Sequence, residues 1–194
     1  LRYSRTTITV FTVLTLSGFY AASHLSVNED RIKTFDPSEA IYQADSVINE
    51  HLNGTNNLDI VIETDVPEGL FEPDVLTRMA NLQTYALSLK HVEGATSIVD
   101  YLKQMNRSLN GGSISQYRLT ETKALVAQYF LIYSASADPT DFQEEVDYDY
   151  QTANIRVTLN DGAFQSTKVV IEALQHYIDT QFNSGGLSNG LKAT

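Results

Sequence analysis

The residues able to bind metals, move protons or attack a carbonyl are scattered along this chain. Four histidines, His24, His51, His91 and His176, lie far apart, and none falls in a metal spacing such as His-Glu-x-x-His. His51 and His91 stand near predicted helix ends and His176 in the last predicted helix, positions that suit histidine because the macrodipole favours a cation at a helix C-terminus. The densest acidic run, Glu144-Glu145-Val146-Asp147-Tyr148-Asp149, has the oxygens for a hard cation. It lacks the central glycine and distal glutamate of a calcium loop, and a solvated strand entry is the plainer reading. Serine is plentiful, yet no Gly-x-Ser-x-Gly elbow appears, and Gly111-Gly112 has no lysine after it to reach a phosphate. Asn53-Gly54-Thr55 and Asn106-Arg107-Ser108 match the glycosylation acceptor, which matters only in a eukaryotic secretory route. None of the 194 residues is cysteine, which removes thiolate zinc sites, thiol nucleophiles and disulfide frameworks together. The expectation is a protein without cofactor, metal or catalytic centre, and not an enzyme.

The elements that carry these residues fall into two unlike parts. Hydrophobic residues make up 42% of the chain, enough for a real core, while the net charge is −11. So acidic a surface, with no Lys/Arg stripe, repels phosphate backbones, and nucleic acid is excluded as a partner. The lack of cysteine fits a bacterial envelope protein better than an animal ectodomain.

From Thr6 to Leu25 no Asp, Glu, Lys or Arg interrupts an apolar stretch with interspersed Thr and Ser. About 20 residues at about 1.5 Å each match a hydrocarbon core of roughly 30 Å. Arg2 and Arg5 precede the stretch, and Asn28, Glu29 and Asp30 follow it. The positive-inside bias then makes 1–26 a transmembrane helix with a cytoplasmic N-terminus and puts 27–194 on the far side. Two alternatives stand beside this. Ala21-Ala22-Ser23 resembles a signal-peptidase site, and a long apolar helix can also be the core of a soluble protein.

In the body, Asp36-Pro37-Ser38-Glu39 predicts a helix start with Asp36 as cap, followed by Ile41, Ala44, Val47, Ile48 and Leu52 at helical spacing up to Asn53-Gly54. Leu58, Ile60 and Ile62 alternate as in a half-buried strand, a helix opens near Pro73, and Ala95 to Val99 is β-like. Asp100 to Asn110 and Ala124 to Ser134 read as helices, the second apolar on nearly all sides, so that it must be covered all round. Ala153, Ile155, Val157 and Leu159 mark the cleanest strand, and a last helix carries Val169 to Ile178, ending at Ser184-Gly185-Gly186, with a possible closing strand. Two βαβ-like units around a helical insertion at about 100–140 predict an α+β sandwich of the split-βαβ (ferredoxin-like) type.

Several stretches, in order, resemble the resistance-nodulation-division (RND) superfamily, in the branch of predicted exporters allied to MmpL, hopanoid-transporter and Patched-like proteins. They are Phe35-Asp36-Pro37-Ser38, the strand Leu58 to Glu63, Val92-Glu93-Gly94, Ser97 to Asn106, Leu125 to Tyr133, and Val146 to Val157. The resemblance implies a porter-like periplasmic loop, the second of two on the strength of Met105-Asn106 and Gln128-Tyr129. The leading helix would then be the seventh of twelve in a bacterial inner-membrane protein, and Gly190 to Thr194 the approach to the next. It further implies proton-driven export of a hydrophobic or lipid-like substrate, relay carboxylates in helices outside this chain, and a homo-oligomeric full-length protein. The partners so implied are the membrane, the companion periplasmic loop and the remaining transmembrane helices. Tyr129, Phe130 and Tyr133 on the all-apolar helix are the candidate substrate contacts, with plain core packing as the competing role.

Overall fold

The computed structural model describes residues 4–23, 28–30, 32–52, 54–136, 144–183 and 192–193. Helix α1 (Ser4–Ser23) is followed by α2 (Ala40–His51), β1 (Asn56–Glu63), α3 (Pro73–Leu87), β2 (Val92–Ser97) and α4 (Ile98–Leu109). Then come α5 (Lys123–Ser136), β3 (Thr152–Leu159), α6 (Phe164–Tyr177), continued by a π turn over Ile178–Phe182, and the two-residue β4 (Lys192–Ala193). The fold is α+β, built on three full antiparallel strands.

The sheet order is β2-β3-β1-β4, and each neighbouring pair is antiparallel. β1 and β3 pair along their whole length, from Asn56 opposite Leu159 to Glu63 opposite Thr152. Because side chains alternate across a strand, Ile60 and Ile62 of β1 and Ala153, Ile155, Val157 and Leu159 of β3 all fall on one buried face. Leu76, Met79, Leu82 and Ala86 of α3 and Val170 and Leu174 of α6 join the same core. Tyr85 and Tyr177 stack with ring centroids 4.3 Å apart, tying α3 to α6. Each such buried Leu, Ile or Met contributes about 1.5–3 kcal/mol by leaving water. The opposite face of the sheet carries Asp59, Asn154 and Arg156, with Arg156 Nε 3.3 Å from Asp59 Oδ1.

Three boundaries differ from the sequence reading, each for a local reason. α2 begins at Ala40, not at Pro37, because Asp36 Oδ1 accepts the backbone N–H of Ser38 (2.9 Å) and its hydroxyl (2.6 Å), closing a turn instead of capping a helix. β2 stops at Ser97 and α4 starts at Ile98, ahead of the Asp100 that the pattern suggested. Ser97 is the N-cap: its hydroxyl accepts from Val99 N–H while Asp100 Oδ2 accepts from Ser97 N–H, a capping box. The acidic run around Asp147 is a tight turn as well as a strand entry: Val146 bridges to Ala153, and Asp147 Oδ1 accepts from the N–H groups of Gln151 (2.7 Å) and Thr152 (2.9 Å). His24, Asn53 and the helix stop at Ser184 to Gly186 lie outside the described residues. Lys192 and Ala193, where an approach to another membrane helix was expected, pair with Glu63 and Ile62.

α1 stands apart from this body. Its span Arg5–Ser23 is long and apolar enough to cross a membrane, and none of it is buried. Ile8, Phe11, Leu14, Leu16 and Phe19 are all exposed. Several of its hydroxyls bond within the helix: Thr9 donates to the Arg5 carbonyl, Thr15 to Phe11 and Ser17 to Leu14, each at 2.9 Å. A long apolar helix that was the core of a soluble protein would be covered; this one is not.

The chain after α1 returns at once to the body. The Glu29 carbonyl accepts the N–H of Phe164 (3.3 Å) and Asn28 Oδ1 accepts that of Gln165 (3.1 Å). These are first-turn donors of α6, which its own N-cap, Ala163, has no side-chain oxygen to meet. Lys33 sits 2.9 Å from Asp30 and 3.7 Å from Asp161. The Ser166 hydroxyl donating to Asp161 at 2.6 Å, with the Ala163 N–H and the charges of Lys33 and His91, holds that carboxyl below its ordinary range against the opposing effect of burial.

Candidate substrate-contact surface

Helix α5 has no polar side to point at water, and the body covers only part of it. Val126, Tyr129 and Phe130 turn inward and are buried; Tyr133 is half-buried. Phe130 is fully buried in a cluster with Phe71 (centroids 5.2 Å apart) and Tyr150 (5.2 Å). The Tyr129 hydroxyl donates to Asn106 Oδ1 at 2.8 Å, and Asn106 Nδ2 donates to the Gln116 carbonyl at 2.8 Å. That network joins α5 to α4 and to the Ile114–Gln116 turn through a nearly buried amide. Such a group is retained where all its bonds are made.

The structure therefore places Tyr129 and Phe130 in the core and Tyr133 at its margin, against Tyr101 at 5.1 Å between ring centroids. The exposed residues of α5 are Lys123, Ala124, Gln128, Leu131, Ile132 and Ala135. Leu131 is 67% exposed and Ile132 45%. Tyr101, at the α4 margin beside Tyr133, is exposed as well. Periodicity could not select Leu131 and Ile132, because both sides of α5 are equally apolar; only the position of the body decides which side is open.

Near the strap formed by Asn28–Asp30, a groove of ≈ 490 Å³ is lined by Glu29, Asn56, Leu58, Leu159, Phe164 and Thr167 among others. Next to it lies a second groove lined by Lys33, Tyr42, Asp45, Asn49 and Asn160. His91 Nδ1 is 3.9 Å from Asp161 Oδ2, and His51 and His176 end α2 and α6. Ser166 bonds to Asp161 and not to a histidine, so these three groups do not form a nucleophile–base pair. Among the described residues no group of three or more His, Asp or Glu is arranged to hold a metal. On the open sheet face, burial raises the Glu145 carboxyl above its ordinary range; Arg156 opposes this and Glu144 adds to it. Glu145 shares a crevice with Asn154, whose buried Oδ1 has no hydrogen-bond partner among the described residues.

No family model matches the chain, and no curated protein matches it.

Proposed function

We propose that this chain is the extracytoplasmic, substrate-handling part of an RND-type proton-driven exporter of hydrophobic or lipid-like molecules, lying in the periplasm of a bacterial inner-membrane protein. The observation that carries the reading is a wholly unburied apolar helix joined to an α+β body that leaves a second apolar face open on α5. An apolar helix with no protein cover needs hydrocarbon around it. An apolar face on a body in water needs an oily ligand or a partner, here the companion loop of the same transporter.

The finer architecture, a porter-like split βαβ sandwich, belongs to the same proposal. In its support, β3 lies between β1 and β2, β1 lies between β3 and β4, and α3 and α6 make the two crossovers. α4 and α5 occupy the segment between β2 and β3, where a helical insertion is expected. The exposed Leu131 and Ile132 replace Tyr129 and Phe130 as the side chains available to a substrate, with Tyr133 at the edge.

The test is genetic and chemical. The reading frame is expected to continue past Thr194 into several apolar helices, and a strain lacking the gene to retain a lipid-like molecule that the parent exports. A stop codon at that point, or an unchanged lipid profile, would sink the exporter. The competing reading is a free-standing envelope binding module, on a single anchor or released by cleavage after the Ala21-Ala22-Ser23 stretch that ends α1. N-terminal sequencing of the mature protein separates the two: a start near Ser23 or at the head of α1 supports the module, and a start upstream with further apolar helices before α1 supports the exporter.

A further inference from the structure

Helix α2 is built inside out. Its polar residues Tyr42, Asp45 and Asn49 are half-buried and turn toward the body. Thr55, at the entry to β1, donates its hydroxyl to Asp45 Oδ1 (2.7 Å) and its N–H to Asn49 Oδ1 (3.0 Å), while Asn49 Nδ2 donates to Asp45 Oδ2 (2.8 Å). Ile41, Ala44, Ile48 and Leu52 share another side at helical spacing, and that side is exposed, Leu52 at 68%. No residue of α2 is buried. A helix serving a water-soluble core points the other way.

We infer that α2 lies in the plane of the bilayer surface and rests its Ile41–Leu52 stripe on neutral phospholipid. The inference depends on the reading of α1 as a membrane helix. Two observations select lipid as the occupant. Asn28 is bonded to α6, and five residue steps separate it from Ser23, the last residue of α1. Those steps reach at most roughly 18 Å, so this end of the body is held close to wherever α1 leaves the membrane. The 3-10 turn Ile32–Thr34, Phe35 and α2 follow directly, and α2 borders the same strap across the groove lined by Asp30, Lys33, Asp45 and Asn49. α2 itself carries Asp45 and Glu50 and no Lys or Arg, which argues against anionic headgroups and against free-standing affinity for membranes. Tethering by α1 supplies the effective concentration that a weak interfacial helix needs.

The consequence is a fixed orientation: lipid on the Ile48 side, the body on the Asp45 side and water on the Glu50 side. The chain has no cysteine, so single probes can be placed in it as Val13→Cys, Ile48→Cys, Leu52→Cys and Glu50→Cys, in the full protein with every cysteine outside this chain replaced by serine. Each is labelled with an environment-sensitive fluorophore and reconstituted in phosphatidylcholine vesicles, with nitroxide-bearing lipid as quencher. Quenching at Val13, Ile48 and Leu52 several-fold above that at Glu50 is expected. Quenching at Val13 with Ile48 and Leu52 no different from Glu50 overturns the inference and leaves the membrane helix standing. A blue-shifted but unquenched Ile48 means a protein surface covers the stripe, and also overturns it. An unquenched Val13 removes the membrane helix and this inference with it.

Discussion

Tyr129 illustrates how one hydroxyl changes what a residue is for. Its ring is buried, its oxygen is bonded to the Asn106 amide, and both lie between α4 and α5. Tyr129→Phe keeps the packing and removes the bond. Asn106 Oδ1 still accepts from Asn110 at 3.0 Å, so the expected cost is only about 0.5–1.5 kcal/mol in a urea titration, with the proposed export intact. A larger loss of export than of stability would instead put the hydroxyl in contact with substrate. Glu145 supplies a pH-dependent counterpart. Its carboxyl is raised above the ordinary range in the folded protein, so folding favours its protonated form. Stability from this group is present below its unfolded pKa and is lost as pH rises through the raised folded pKa. Glu145→Gln is expected to flatten that limb of the stability–pH curve and to leave the protein steadier than the parent above it, measured as thermal midpoints across the acidic range.

At the scale of elements, the strands and the helices that follow them were readable because one face of each is apolar and the other is not. Ile60 and Ile62, or Ile155, Val157 and Leu159, could only point one way. Helices α2 and α5 were harder, for opposite reasons. α2 has a clear apolar stripe, but its polar side is what the body holds, through Thr55; amphipathicity marks the helix but not the side that the body takes. α5 has no polar side, so nothing in its spacing could tell the buried Phe130 from the open Leu131. The pair makes a test: Phe130→Ala is expected to cost about 3–5 kcal/mol, whereas Leu131→Ser changes stability by no more than about 0.5 kcal/mol and, on the exporter reading proposed above, reduces export. Equal effects on export and stability at both positions would remove the functional role of the open face. The turn joining α2 to β1 has its own requirement. Gly54 has φ +116, and a Cβ there would collide with the Leu159 carbonyl oxygen. Gly54→Ala is therefore expected to destabilise by more than about 1 kcal/mol in chemical denaturation, loosening β3 from the α2 turn.

The whole molecule divides into a packed body and an uncovered apolar helix. The body gathers its core on one face of the sheet, and α1 shares none of it. Val13→Lys would put a charge near the middle of the span at a cost of about 2.5–3.5 kcal/mol on insertion scales. It is expected to move protein from the membrane pellet to the soluble fraction after alkaline extraction, without altering the fold of the body by circular dichroism. That division was legible early, because a charge-free run of this length is a whole-element signal. The chain's way back from α1 to the body was not legible, since Asn28 and Glu29 look like any polar flank until α6 is seen to lack a cap of its own.

That return has a mechanical side. With Asn28 and Glu29 clipped to the leading amides of α6, any pull transmitted along the backbone from the bilayer arrives first at Phe164 and Gln165. On the proposed membrane reading of α1, these two hydrogen bonds would part before β1 or β3 felt the load, so the clip would act as a fuse between the anchor and the sheet.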